Sequence, residues 1–248
     1  MRNVAKEEGR IIPLLELEGP EHMAIDTFLL DQSIQSKSYS AYFRIYKWAG
    51  VWLSVGKNQR IPNRWKELAK ENNFQIVRRP SGGSAVLHSG GITYSLIKAN
   101  NKTSRSEVYY EQCKWLIECF SKLGVKLSFG NDLQNNLNNN CFESSTKADL
   151  IDTKGNKCIG SAQLWRKKHV LQHGEIILNP PKELWLQLFN QEPPNTDLNL
   201  LNNNELASFL LEAFTSYYSK TNWNIIELSR SELNSISKES YNFKIETS

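Results

Sequence analysis

A chain of 248 residues with 40% apolar and 10% aromatic side chains has enough hydrophobic material for one sizeable core. No run of 18 apolar residues occurs, which excludes a transmembrane helix, and residues 1–10 are charged rather than a secretory signal. A net charge of +4 with scattered arginines does not specify nucleic acid, and the four cysteines form no paired metal-ligand spacing, so a reduced, cytoplasmic protein without a metal site is expected.

Residues 11–18 read as a loop or edge strand leading into a helix that spans Gly19 to about Ser33, with Met23, Ala24, Phe28 and Leu29 at helical spacing. His22 and Asp26 are expected on its surface. Tyr42–Tyr46 and Val51–Val55 read as the two strands of a hairpin, followed by the polar turn Gly56–Gln59. Pro62 suits the first turn of a helix to about Asn72, with Trp65, Leu68 and Ala69 inward. Ser104 or Ser106 caps a long helix that Gly124 ends, and its apolar stripe takes in Cys113 and has Cys119 alongside as small fillers. The Asn-rich stretch 131–140 reads as a flexible loop. A meander of Ala148–Ile151, Lys157–Trp165 and Val170–Leu178 follows, then helices near Lys182–Asn190 and Asn203–Tyr218, and a polar tail, 229–248, ending in a short helix.

Two stretches stand out chemically. Arg78-Arg79-Pro80-Ser81-Gly82-Gly83-Ser84-Ala85-Val86-Leu87-His88 lies between the strands Phe74–Val77 and Ile92–Ile97. Its glycines let backbone N–H groups approach a ligand, and its arginines offer forked donors to a carboxylate, phosphate or polarised carbonyl. Farther on, Cys141 emerges from the polar Asn-rich stretch and Lys157 opens the strand Lys157-Cys158-Ile159-Gly160-Ser161-Ala162-Gln163. An ammonium near a thiol favours the nucleophilic thiolate, whereas an inert thiol and a solvated lysine are what composition alone suggests. Cys158 alternates with Lys157 along the strand and should face the other way.

Together these segments resemble the lipoate–protein ligase and octanoyltransferase superfamily, which is related to biotin protein ligases. The stretch from Arg78 to His88 resembles its Arg-Arg-x-x-Gly-Gly-x-Ala-Val-x-His motif. Lys157-x-x-Gly160-Ser161-Ala162-Gln163 resembles its catalytic-lysine strand, and Leu171-Gln172-His173-Gly174 the strand after it. Phe43 to Gln59 and Met23–Asp26 resemble the preceding strand pair and the first helix. The likeness covers about residues 20–215 and implies an α/β (α+β) fold with a mainly antiparallel mixed β-sheet and packed helices, mostly on its outer side, residues 1–248 forming a single catalytic domain.

Cys141-Phe142 before the lysine strand, with Ile92-Thr93-Tyr94-Ser95 after the glycine loop, looks most like the cysteine-dependent octanoyltransferases. The implied reaction moves an octanoyl group from acyl carrier protein, through a Cys141 thioester, to a lysine of a lipoyl-domain protein such as glycine cleavage protein H, with no cofactor. The resemblance implies catalytic roles for Cys141 and Lys157. It implies substrate-binding roles for Arg79, Gly82, Gly83, His88, Tyr94, Gly160, Ser161, Ala162, Gln163 and His173. Arg166-Lys167-Lys168 is a basic turn that would suit an acidic carrier. The alternative is an ATP- and Mg²⁺-dependent lipoate–protein ligase, in which Arg79 and the glycine loop hold the acyl-adenylate. A further alternative is a non-catalytic paralogue that binds lipoyl domains. Both enzyme branches commonly have Asp after the motif histidine, where this chain has Ser89.

Overall fold

The computed structural model describes residues 7–35, 38–100, 104–130, 149–196, 198 and 200–246. Two sheets organise them. The larger has eight strands: β1 (Glu7–Leu17), β2 (Ala41–Trp48), β6 (Ile92–Ala99), β7 (Ser128–Phe129), β8 (Leu150–Ile151), β9 (Lys157–Arg166), β10 (His169–Ile176) and β11 (Thr221–Ile225). Their order across the sheet is β11-β1-β2-β6-β10-β9-β8-β7. β1 runs parallel to both neighbours, and the remaining pairs are antiparallel, so the sheet is mixed and mainly antiparallel. The smaller sheet has the order β4-β3-β5, from β3 (Trp52–Val55), β4 (Gln75–Arg78) and β5 (Val86–His88).

Three expectations are corrected here. The segment at 11–18 is an interior strand, because Thr221–Ile225 adds beside it as the true edge. Pro13, which has no N–H to donate, falls where the pairing of β1 with β2 shifts register between Ile12 and Leu15. The expected hairpin of 42–46 with 51–55 does not form. Both flanks of β2 are taken by β1 and β6, so the chain leaves the large sheet after Trp48 and starts the small one at Trp52. The helices, finally, lie on both faces of the large sheet rather than mostly on one.

Along each central strand, side chains alternate between two unlike layers. One face packs against α3 (Arg105–Lys122) and α5 (Asn203–Tyr217), where Phe43, Tyr94, Leu96, Trp115, Leu116, Phe120, Leu210 and Phe214 form a dry core. Phe43 and Phe214 stack at 3.5 Å between ring centroids, and Trp115 meets Phe43 edge-on at 5.6 Å. Ser104 caps α3, as expected, and Cys113 and Cys119 are buried fillers whose thiols burial pushes up to about 12. The other face meets α1 (Gly19–Gln35) and α6 (Arg230–Ser240), through Ile12, Ile25, Leu29, Tyr42, Ile97, Leu171 and Ile236. The polar tail thus contributes a docked helix: Ser229 and Glu232 form its capping box, and Glu232 also holds Arg10 of β1 at 2.7 Å. The small sheet is covered by α2 (Asn63–Glu71) and α4 (Lys182–Phe189), with Leu53, Val55, Leu68, Phe74, Ile76, Leu184 and Leu188 between them. None of the helices among the described residues is long and apolar enough to cross a membrane.

Candidate functional site

The second face of the large sheet does not stay apolar along its length. Toward the small sheet it opens into a cavity lined by Met23 of α1, Tyr46 and Trp48 of β2, Thr93 of β6, His173 and Glu175 of β10, and Gly160 and Ala162 of β9. The opposite wall is Ser54, Arg79, Val86, His88 and the Gly83–Ala85 loop. Lys157 and Asp149 complete the rim, with Lys157 Nζ 3.0 Å from Asp149 Oδ2; the lysine side chain is one third exposed and the carboxylate almost buried. Gly160 makes room for that lysine: a Cβ there would lie 2.8 Å from Lys157 Cε. Gly83 takes φ = +93°, which a residue with a side chain adopts only under strain.

Arg79 belongs to the wall by its position and to the loop by its bonds. Its Nη1 donates to the Ser54 carbonyl (2.6 Å) and hydroxyl (2.8 Å), and its Nη2 to the carbonyls of Gly82 (3.1 Å) and Ser84 (2.8 Å). Burial pulls its pKa down to about 10, which leaves it charged at neutral pH. Both ring nitrogens of His88 are taken, Nε2 by Ser54 Oγ at 2.6 Å and Nδ1 by Glu175 at 2.9 Å, and the ring stacks on Trp48 at 3.8 Å. His173 repeats the pattern: Nε2 is 2.6 Å from Ser81 Oγ and Nδ1 2.8 Å from Asp26 Oδ2.

Asp26 and His22, expected on the surface, are fully buried. The reason is Arg44, which projects from β2 onto the same face, donates to Asp26 at 2.9 Å and to the His22 carbonyl at 2.9 Å, and stacks over Tyr46. Burial alone would raise the Asp26 pKa, but Arg44 and His173 outweigh it and hold it at about 2. His22 donates from Nε2 to the Lys47 carbonyl at 2.7 Å, and burial followed by the Arg44 charge keeps its pKa well below 6.5.

Residues 18–197 match the sequence profile of the lipoyl protein ligase A/B catalytic domain. The chain belongs to that family. Octanoyltransferase LipM of Oceanobacillus iheyensis is 31% identical over 68% of this chain and 63% of its own length. The Geobacillus kaustophilus LipM is 32% identical over 75% of this chain and 71% of its own, and that of Bacillus subtilis 30% over 74% and 70%. The match thus spans about two thirds of these relatives. Among solved structures, lipoate-protein ligase A bound with ATP superposes with a TM-score of 0.75 at 18% identity, covering 94% of each chain. A bi-partite lipoate protein ligase from Thermoplasma acidophilum, determined with its E2 lipoyl domain, gives 0.71 at 14%, covering 96% of this chain and 93% of that one. At such identities the likeness concerns the fold, which is that of the A/B catalytic domain.

Of the residues singled out in the sequence of this A/B domain, Arg79, Gly83, His88, Lys157, Gly160, Ser161, Ala162 and His173 line the cavity. Gly82 does not, although Arg79 holds its carbonyl. Ser161 reaches the cavity while its hydroxyl bonds Tyr94 on the α3 side. Tyr94 and Gln163 face the α3 layer: Tyr94 Oη also accepts from Gln172, and Gln163 bonds Gln172 and Trp165. Cys158 is buried on the apolar side. Cys141 and the Asn-rich stretch 131–140 lie outside the described residues, as does Ala148. Sequence reasoning missed Ser54, Asp149, Glu175 and the pair Asp26–Arg44. The available signal was an alternation: Tyr42-x-Arg44-x-Tyr46 and His173-x-Glu175 put charged groups on one face of otherwise apolar strands.

Proposed function

We propose that this protein is a cysteine-dependent octanoyltransferase that carries an octanoyl group from acyl carrier protein to a lysine of a lipoyl-domain protein. The observation that carries the reading is Lys157 on the rim of a cavity whose opposite wall includes the Gly83–Ala85 loop. Agreement with three octanoyltransferases at 30–32% identity supports it. The thiolate of Cys141 attacks the thioester carbonyl of the donor and expels the carrier thiol, giving an octanoyl-enzyme. The amine of the acceptor lysine then attacks that carbonyl, loses a proton and displaces the Cys141 sulfur, leaving an amide. One thioester is exchanged for another and then converted to a more stable amide, so the route uses no ATP. Lys157 orients the carbonyl and offsets the negative charge that develops on its oxygen, together with loop N–H groups. The alkyl chain enters past Met23, Tyr46, Trp48 and Val86, where each buried CH₂ contributes about 0.8 kcal/mol.

The test is acyl transfer to a purified lipoyl domain. Octanoyl-acyl carrier protein without ATP should give the octanoylated acceptor. Modification that requires free acid and ATP would identify the ligase reaction instead, and no modification under either condition would leave only a binding role.

A further inference from the structure

Glu175 is buried at the cavity wall and takes no part in the acyl-transfer steps proposed above. Its surroundings fix the direction of every hydrogen bond that leads to it. The guanidinium of Arg79 can only donate, and it donates to Ser54 Oγ at 2.8 Å. The Glu175 carboxylate can only accept, so His88 Nδ1 donates to its Oε2 at 2.9 Å, and Nε2 of the neutral ring is left to accept. The Ser54 hydroxyl therefore donates to Nε2, 2.6 Å away. A second chain ends on the same oxygen: Trp48 Nε1 donates to Thr93 Oγ1 at 2.8 Å, and the Thr93 hydroxyl donates to Glu175 Oε2. A Cβ at Gly91 would overlap the other carboxylate oxygen and lie 2.8 Å from the Ile176 carbonyl oxygen, so position 91 admits only glycine.

The far end of the first chain is the glycine-rich loop. Arg79 Nη2 holds the carbonyls of Gly82 and Ser84. In a trans peptide the N–H opposes the C=O, so clamping those two carbonyls sets the directions of the Gly83 and Ala85 N–H groups. On the octanoyltransferase reading, these are the loop donors to the thioester carbonyl.

We propose that Glu175 is a positioning residue for acyl transfer: by fixing the Nδ1–H tautomer of His88 it aligns Ser54 and Arg79, and through them the Gly82–Ala85 loop that receives the acyl donor. The proposal rests on the octanoyltransferase reading for its substrate, but the tautomer does not, and the two fail separately. Ser54, His88 and Glu175 follow the donor order of a nucleophilic triad, but Ser54 is fully buried and its oxygen accepts from Arg79, which blunts it as a nucleophile.

The experiment combines nitrogen-15 NMR of histidine-labelled protein with steady-state kinetics. The wild-type enzyme should show a neutral His88 protonated at Nδ1. Glu175→Gln keeps an oxygen that accepts from Nδ1–H and should retain that tautomer with KM for the octanoyl donor within about threefold. Glu175→Leu removes the acceptor and should lose the tautomer and raise that KM by roughly tenfold or more, with a smaller change in kcat. Should Glu175→Leu not fold, Ser54→Ala cuts the same chain one link nearer the loop and should give the same KM rise. A wild-type His88 protonated at Nε2, or leucine and alanine variants with unchanged KM, would overturn the proposal. A wild type with the expected tautomer but no transferase activity would sink the activity reading and leave the relay standing.

Discussion

The two faces of the large sheet share one backbone and differ in almost everything else. On the α3–α5 side, Phe43, Trp115 and Phe214 interlock with aliphatic side chains. On the α1 side, one residue along from Phe43 on β2, Arg44 is as buried as Asp26 of α1, His173 and Glu175 of β10 and His88 of β5, all of them charged or polar. The first face is what hydrophobic burial rewards. The second is costly to desolvate and is tolerated only because each group has a partner of fixed geometry. Stability and chemistry are thus segregated by strand alternation, and the cavity opens on the expensive side.

The sharpest way to break this contrast is from the apolar face. Trp115→Ala should cost about 3–5 kcal/mol of unfolding free energy in denaturant titration while leaving the rate per folded molecule near wild type. If transfer fell in proportion instead, the faces would not be independent. On the other side, Lys157→Ala should lower kcat/KM by about 10²–10³-fold, as loss of one oxyanion donor does, and cost about 1–3 kcal/mol of stability because it leaves the buried Asp149 carboxylate without its ammonium.

Titration sharpens the comparison further. The Asp26 pKa lies at about 2 in the fold against 3.8 for the unperturbed group, so its stabilisation is complete above pH 3.8 and lost as pH falls toward 2. That loss amounts to roughly 2 kcal/mol by linkage, and Asp26→Asn should flatten this part of the stability–pH curve while lowering its plateau. His22 and His88 are depressed below 6.5, chiefly by burial, so the unfolded chain takes up their protons first and stability should also decline as pH drops below 6.5. The smallest effect belongs to Gln163, which faces the apolar layer: Gln163→Ala should change KM for the acyl donor less than about twofold, where a substrate contact would change it more.

Much of the architecture was legible because it follows from local patterns. Helical spacing gave α1, α2 and α3, and the turn signals gave the β9–β10 hairpin. The β2–β3 pairing was misread because a tight turn between two apolar runs has the same sequence whether the strands pair or part into different sheets. β11 went unseen since Thr221–Ile225 is polar on alternate positions and becomes a strand only by adding beside β1. The loop arginine and the histidines were legible as a motif, but their tasks were not. Arg79, His88 and His173 spend their donors and acceptors on Ser54, Ser81, Asp26 and Glu175, residues 25 to 147 positions distant apart from the loop carbonyls. Partners that far apart in sequence are brought together by sheet order, which no short spacing encodes.

The proposed reaction passes through a covalent octanoyl-enzyme, which intact mass detects. The protein incubated with octanoyl-acyl carrier protein and no ATP should gain one octanoyl group, lost on hydroxylamine treatment and absent in Cys141→Ala. Cys113, Cys119 and Cys158 are buried, so peptide mapping should place the group on Cys141. An adduct that persists in Cys141→Ala, or transfer to the lipoyl domain at full rate by that variant, would rule out Cys141 as the acyl carrier.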